Sequence, residues 1–403
     1  MTKPAPSTTP ATGLDNLLAS REMVLIGGSG GVGKTTIAAA MGIAAAQRQK
    51  GRVLVLTVDP ARRLATALGL ETFGNIPVRI AQRHFREAGV KVRGELHVAM
   101  LDTEAGWDEL IQRHAPDAEI REAVLGNPLY RNITSRFVHS HEYLAMERLH
   151  DLHATGEFDL VIVDTPPSRN ALSILDAPGR MADFFGSRLL RWLTVPYRSR
   201  FFAVASRPFN QVADRILGSS FLQDIADFFI LFQAMESGFV RRAREVEALL
   251  VDPRTAFVVV TTLETAPSHE ARHLARELVD RRMSLGAVIA NRVLPSRLAQ
   301  PDSAAAAIAL GAAANGPLAD DVADALGKAV GVDGKVSRDD LASLFAKIAA
   351  AFDDVALVAA RETERRAELE SLAPVFVDVP WMPGDIHDIA GLADLAKHLR
   401  GDL

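Results

Sequence analysis

The stretch Ile26-Gly-Gly-Ser29-Gly-Gly-Val-Gly33-Lys34-Thr35-Thr36-Ile-Ala-Ala-Ala40 decides the fold. Gly28 to Thr35 satisfies G-x-x-x-x-G-K-[ST]. It follows an apolar run, Met23–Ile26, and opens a helical pattern, Thr35–Arg48. Strand, glycine loop and helix in that order form a phosphate-binding loop. Glycines let backbone N–H groups turn toward phosphate oxygens, and the helix N-terminus adds the positive end of its dipole. The phosphate-binding set is Gly28, Ser29, Gly30, Gly31, Val32, Gly33, Lys34, Thr35 and Thr36. Lys34 is predicted to reach the β- and γ-phosphates, and the Thr35 hydroxyl to ligate Mg²⁺.

Outward from this loop, short β-branched runs recur at Val53–Val58, Leu96–Leu101, Leu160–Val163, Ala256–Thr262, Ala287–Ala290 and Val375–Val379. Several are apolar almost throughout, as strands buried on both faces of a parallel sheet are. Helical patterns such as Ser268–Arg282 lie between them. The alternation predicts a doubly wound, mostly parallel α/β sheet of about 7–8 strands, with ligand at the strands' carboxyl ends.

Two strands end in carboxylates. Leu160-Val-Ile-Val-Asp164 puts an aspartate where a metal-bound water can be held. Leu56-Thr-Val-Asp59-Pro60 puts another where an attacking water can be oriented or deprotonated, although an Asp-Pro pair also fits a structural turn. Thr165-Pro-Pro-Ser-Arg-Asn170 is a stiff polar loop suited to sensing a γ-phosphate.

The remaining organisation is less regular. Residues 1–14 read as a disordered tail and 15–403 as one domain with helical inserts. The inserts cover about 102–158 and 177–250. In the second, Met181, Phe184, Phe185, Leu189 and Trp192 follow helical spacing, and ten of the chain's 18 phenylalanines fall between 184 and 239. That pattern fits an ordinary helical core as well as a groove for apolar helices or a dimer interface. An Ala-rich helical segment at about 296–370 shows no fixed repeat period.

Composition excludes several classes. The 403 residues include no cysteine, which removes disulfides, thiol catalysis and thiolate metal sites. A net charge of -5 argues against a nucleic-acid binder. No apolar run reaches the length of a membrane span, and the N-terminus has no secretory signal, so stable membrane insertion is not expected and a cytoplasmic protein is. His139 and His141 are the nearest approach to a metal cluster, and in a polar helix such histidines are solvated.

Together the motifs resemble those of the arsenical-pump-driving and tail-anchored-protein-targeting (ArsA-like) ATPases, a deviant Walker A family of the class that includes MinD and ParA proteins. Gly28 to Thr36 resembles its Walker A loop. Thr57 to Gly69 is similar to its switch I, and Val163 to Leu175 to its switch II. Ala287-Val-Ile-Ala-Asn291-Arg292 resembles the strand whose terminal asparagine contacts adenine. Val379-Pro380-Trp381-Met382-Pro-Gly-Asp385-Ile386 resembles the loop that closes over the base.

The resemblance implies ATP and Mg²⁺ as cofactors, Asp59 and Lys34 as catalytic residues, and Thr35 and Asp164 as metal-placing residues. It also implies ATP held between two subunits, with helical inserts forming a surface for a protein or hydrophobic client.

Two departures stand out. Family members carry a lysine where this chain has Ser29; that lysine reaches the partner's phosphates like an arginine finger, worth ~10³–10⁵ in rate. A lysine-bearing paralogue could complete the site in a heterodimer, as bacterial members of the family do in pairs. Arg62, Arg63 or Arg169 could substitute in a homodimer, or hydrolysis could be weak. The absence of cysteine excludes the family's zinc-stapled dimer and cysteine-based As(III) binding. A MinD- or ParA-like spatial regulator is a further alternative, but the C-terminal Leu392 to Leu403 is too short and mixed in charge for a membrane helix. A metabolic enzyme on the same loop would not need such long inserts.

Overall fold

The computed structural model describes residues 13–58, 63–70, 74–101, 140–165, 236–313, 316–330, 337–382 and 384–402, with shorter stretches between 108 and 130 and positions 176 and 179. Asp59, Arg62, Arg169, His139, the side chains of Arg63 and His141, and most of the 177–250 insert lie outside the described residues.

Among the described residues eight strands form one sheet: β1 Met23–Gly27, β2 Arg52–Thr57, β3 Val78–Arg79, β4 Glu95–Met100, β5 Leu160–Asp164, β6 Thr255–Thr261, β7 Leu285–Val293 and β8 Phe376–Pro380. Their order is β3-β4-β2-β5-β1-β6-β7-β8. All pairings are parallel except β3 with β4. The seven apolar runs of the sequence each fall on a strand. The eighth, β3, has two residues and carries no periodic signal.

The interior strands are apolar on both faces because both faces are covered. Val24, Ile26, Val53, Val55, Leu160, Ile162, Val258 and Ile289 pack with the helices Gly13–Ser20, Lys34–Arg48 and Ile389–Arg400. Their neighbours Met23, Leu25, Leu54, Leu56, Val161, Val163, Val259 and Val288 pack against Ser140–Ala154, Glu236–Val251 and Thr265–Asp280. Each fully buried Val, Leu or Ile contributes about 1.5–3 kcal/mol by leaving water. Gly13 and Leu14, read with the tail, begin a helix whose Leu14, Leu17 and Leu18 are buried.

The helices Ser140–Ala154 and Glu236–Val251, far apart in sequence, are joined by ion pairs. Glu147 of Ser140–Ala154 is buried and lies 3.0 Å from the Arg242 Nε of Glu236–Val251. Asp151 lies 3.1 Å from the same guanidinium.

Among the described residues the Ala-rich segment forms a 3₁₀ helix, Ser296–Ala299, and three α-helices, Pro301–Ala313, Pro317–Val330 and the 33-residue Arg338–Glu370. Ser337 caps the last, accepting from the Asp340 N–H, and Asp339 and Asp340 stand in its positive first turn.

Candidate functional site

The strand order places β1 between β5 and β6, so the loop after β1 emerges mid-sheet at the carboxyl edge. Register does the rest: Asp164 is the Cα partner of both Ile26 on β1 and Thr57 on β2. One carboxylate therefore sits at the ends of three adjacent strands.

That carboxylate is fully buried. Its Oδ2 accepts from the Thr35 hydroxyl at 2.6 Å and from the Thr57 hydroxyl at 2.9 Å. A buried carboxylate is tolerated only with such partners. The adjacent Thr165 hydroxyl donates to the carbonyl of Ile26 at 2.7 Å. The N–H of Val58 donates to the Asp164 carbonyl at 3.1 Å, which fixes the chain one residue before Asp59. Thr35 and Asp164 give adjacent hard oxygen donors, the kind Mg²⁺ takes, and the residues present fit that ion.

The loop is shaped by close backbone approach. Gly28 has φ 149°, and a Cβ there would stand 2.1 Å from the carbonyl oxygen of Val260. Gly33 has φ 94°, and its Cβ would stand 2.4 Å from Asn291 Nδ2. Only glycine fits either position. The Lys34–Arg48 helix then begins with no side-chain cap, as a helix N-terminus suited to an anion does.

Lys34 is buried, and its Nζ donates to the carbonyls of Gly28 and Ser29 at 3.0 and 2.8 Å. The ammonium is thereby held across the loop. Ser29 is also buried, and its Oγ has no hydrogen-bond partner.

Asn291 reaches the loop from β7. Its Nδ2 donates to the Val32 carbonyl at 2.8 Å, and its Oδ1 accepts from the Arg292 N–H at 3.0 Å. Arg292 has φ 59°, rare for a side-chain-bearing residue and of the kind that clusters at binding sites. Pro380 ends β8, and Trp381 and Met382 follow it. The Trp381 N–H donates to the Val293 carbonyl at 3.0 Å, and its side chain is 60% exposed.

The structure thus brings Gly28 to Thr35, Asp164 and Asn291 together. Arg292 and Trp381 stand on the flanking β7–β8 edge. The hydrogen bonds of Thr57 to Asp164 and of Thr165 to Ile26 were not read from sequence, where Thr57 only opened the switch I stretch and Thr165 only the loop suited to a γ-phosphate; the signal was a hydroxyl at the end of an apolar strand beside or near a carboxylate. Among the described residues no group of three or more His, Asp or Glu is arranged to hold a metal.

A family model described as the anion-transporting ATPase matches residues 21–308, well over half of the chain. The chain belongs to that family. It is 24% identical over 298 residues to an ATPase ASNA1 homolog of Entamoeba dispar, covering 72% of this chain and 82% of the relative. Identity to the ATPase GET3 of Malassezia globosa is 27% over 286 residues, 70% of this chain and 76% of the relative. To a putative arsenical pump-driving ATPase 1 of Aquifex aeolicus it is 25% over 298 residues, 70% and 65% respectively. As an ArsA-like ATPase the chain is an ATP hydrolase. Among the described residues no helix is long and apolar enough to cross a membrane.

Proposed function

We propose that this ArsA-like ATPase is a Mg²⁺-ATP-dependent molecular switch. The observation that carries the reading is the convergence of Thr35, Thr57 and the Lys34 loop on Asp164 at the ends of β1, β2 and β5. Lys34 moves from the Gly28 and Ser29 carbonyls to the β- and γ-phosphate oxygens and neutralises the charge that develops there. Loop N–H groups share that work. Thr35 and Asp164 place Mg²⁺, which when bound screens the phosphate charge. Asp59, next after Val58, orients the attacking water and takes its proton. Asn291, with Pro380, Trp381 and Met382, borders the base.

The output follows from where the inserts attach. Ser140–Ala154 leads into β5 and so to Asp164, and Arg242 ties it to Glu236–Val251. A change at the γ-phosphate is passed through β5 to residues 102–158 and 177–250, which hold or release a protein or hydrophobic client. Two subunits close on ATP in the active state.

Ser29 favours a second reading, a weakly active subunit that needs a lysine-bearing paralogue. The residue is buried and uncharged, so it cannot supply a cation to a partner's phosphates. One experiment separates the two: turnover of Mg²⁺-ATP by the isolated chain against Lys34→Ala. Turnover well above the variant, lost in Asp59→Asn while ATP still binds, supports the switch. ATP binding without turnover, restored by a lysine-bearing partner, supports the second reading.

A further inference from the structure

The helix Arg338–Glu370 packs only part of its circumference. Leu341, Phe345 and Ala359 are buried, and Gly311 of the helix Pro301–Ala313 closes on the Ala349 side. A neighbouring stripe is left bare: Leu344 is 48% exposed, Ile348 45%, Val355 39% and Val358 47%, with exposed Ala351 between them. These five are spaced four, three, four and three residues apart, so they form one continuous seam of about two heptads. It runs roughly 21 Å along the helix.

Charges beside the seam follow the same period. Asp340, Lys347, Asp354 and Arg361 stand seven residues apart on one flank and alternate in sign. All four are exposed. The other flank carries Phe345, Phe352 and Ala359 and no charge.

We propose that this seam pairs with the same seam of a second copy of the chain, antiparallel, about a two-fold axis near residues 349–350. In that register Ile348 packs against Ala351 of the partner subunit, and Leu344 against Val355 of the partner subunit. The flanking charges then meet in opposite pairs: Lys347 with Asp354 of the partner subunit, and Asp340 with Arg361 of the partner subunit, each repeated by the symmetry. A shift of one heptad either way is repulsive. One direction sets Lys347 against Arg361 and Asp354 against its own copy; the other sets Asp340 against Asp354 and Lys347 against its own copy. Parallel pairing would put the charged flank against an uncharged one. The alternation of four charges therefore selects one partner, one direction and one register.

Two heptads bury far less than the ~1,600 Å² of a standard stable interface, so this contact is weak on its own and acts without nucleotide. It is separate from closure on ATP at the phosphate loop.

Sedimentation of the nucleotide-free full chain, over a series extending well into the micromolar range, tests it. Lys347→Asp turns two attractive pairs into two repulsive ones and is expected to weaken dimerisation about tenfold. Asp354→Lys does the same. The double exchange, Lys347→Asp with Asp354→Lys, restores the opposite pairs and with them the wild-type dissociation constant. Because the chain has no cysteine, register is read directly. Mixed Ile348→Cys and Ala351→Cys chains should form disulfide dimers faster than mixed Ala351→Cys and Val358→Cys chains. A chain monomeric throughout, single exchanges without effect, or a double exchange that stays weak would each overturn the proposal. So would a seam that captures an apolar peptide while the chain stays monomeric.

Discussion

Asn291 and Val32 are joined by a hydrogen bond from a side-chain amide to a backbone carbonyl, 2.8 Å long, between residues 259 positions apart. The bond ties β7 to the crest of the phosphate loop. Oδ1 accepts from the Arg292 N–H, and the proposed function assigns the second amide hydrogen of Asn291 to the adenine ring. Asn291→Ala is expected to lower ATP affinity about tenfold and to cost about 1 kcal/mol of stability. Fluorescent-nucleotide titration and denaturant unfolding measure the two. Affinity equal to wild type would mean that the tether does not shape the loop.

Gly33 and Gly31 separate strain from collision. Both have positive φ, but a Cβ at Gly31 meets nothing within 4 Å, whereas at Gly33 it meets Asn291. Gly31→Ala should cost about 1–2 kcal/mol, the backbone penalty alone. Gly33→Ala should cost more and abolish ATP binding. Adding Asn291→Ala to Gly33→Ala should recover part of the stability but not all of it. Equal losses in the two single variants, read by thermal unfolding, would contradict the geometry.

Thr57 donates to the buried Asp164 carboxylate from the end of β2, at 2.9 Å. Thr57→Val removes a donor to a buried carboxylate and keeps the shape. The expected outcome is a loss of about 1.5–3 kcal/mol in stability and turnover reduced at limiting Mg²⁺, relieved as Mg²⁺ is raised. Thr57→Ser should behave nearly as wild type. A Mg²⁺ dependence unchanged in Thr57→Val would remove Thr57 from the site.

A buried carboxyl and a partly buried imidazole set opposite pH dependences. Burial pushes the Glu362 carboxyl above its ordinary value of 4.5, opposed by the Leu294 N–H it accepts from at 3.0 Å. Its contribution is fully present below the unfolded value and is lost as pH rises through the folded one. Glu362→Gln should therefore raise the melting temperature at pH 7 and leave it unchanged at pH 4. Burial pulls His97 below its ordinary 6.5. Its contribution is present above 6.5 and lost as pH falls through the folded value. His97→Phe, beside Phe158, should flatten the fall in stability on the acid side of pH 6.5. Parallel curves for wild type and variant would show that neither group titrates as its surroundings dictate.

Much of this architecture was legible in sequence because parallel strands buried on both faces must be apolar throughout. The runs at Val53, Leu160 and Ala256 announced themselves in that way, and the glycine loop announced its own geometry. The strand order did not, since periodicity says which residues face a core but not which strands are neighbours. Thr57 escaped for the same reason. Its partnership with Asp164 exists only because β5 lies beside β2, 107 residues later in the chain. The exposed seam of the long helix was equally hidden. Alanine blurs the contrast between covered and bare faces, and no period shows over the whole Ala-rich segment. Asp59 and the phenylalanine-rich insert are expectations that fall outside the described residues.

The position of β1 in the sheet has a consequence for how the protein is made. Met23 is aligned with Val161 on one side and with Thr255 on the other. A ribosome that has finished β1 and its loop must therefore add most of the chain before both neighbours exist. Until then β1 is an apolar strand with two bare hydrogen-bonding edges, the kind of segment most prone to wrong pairing. Nascent chains stopped before β6 should depend on chaperones, and release from them should coincide with the emergence of residue 261.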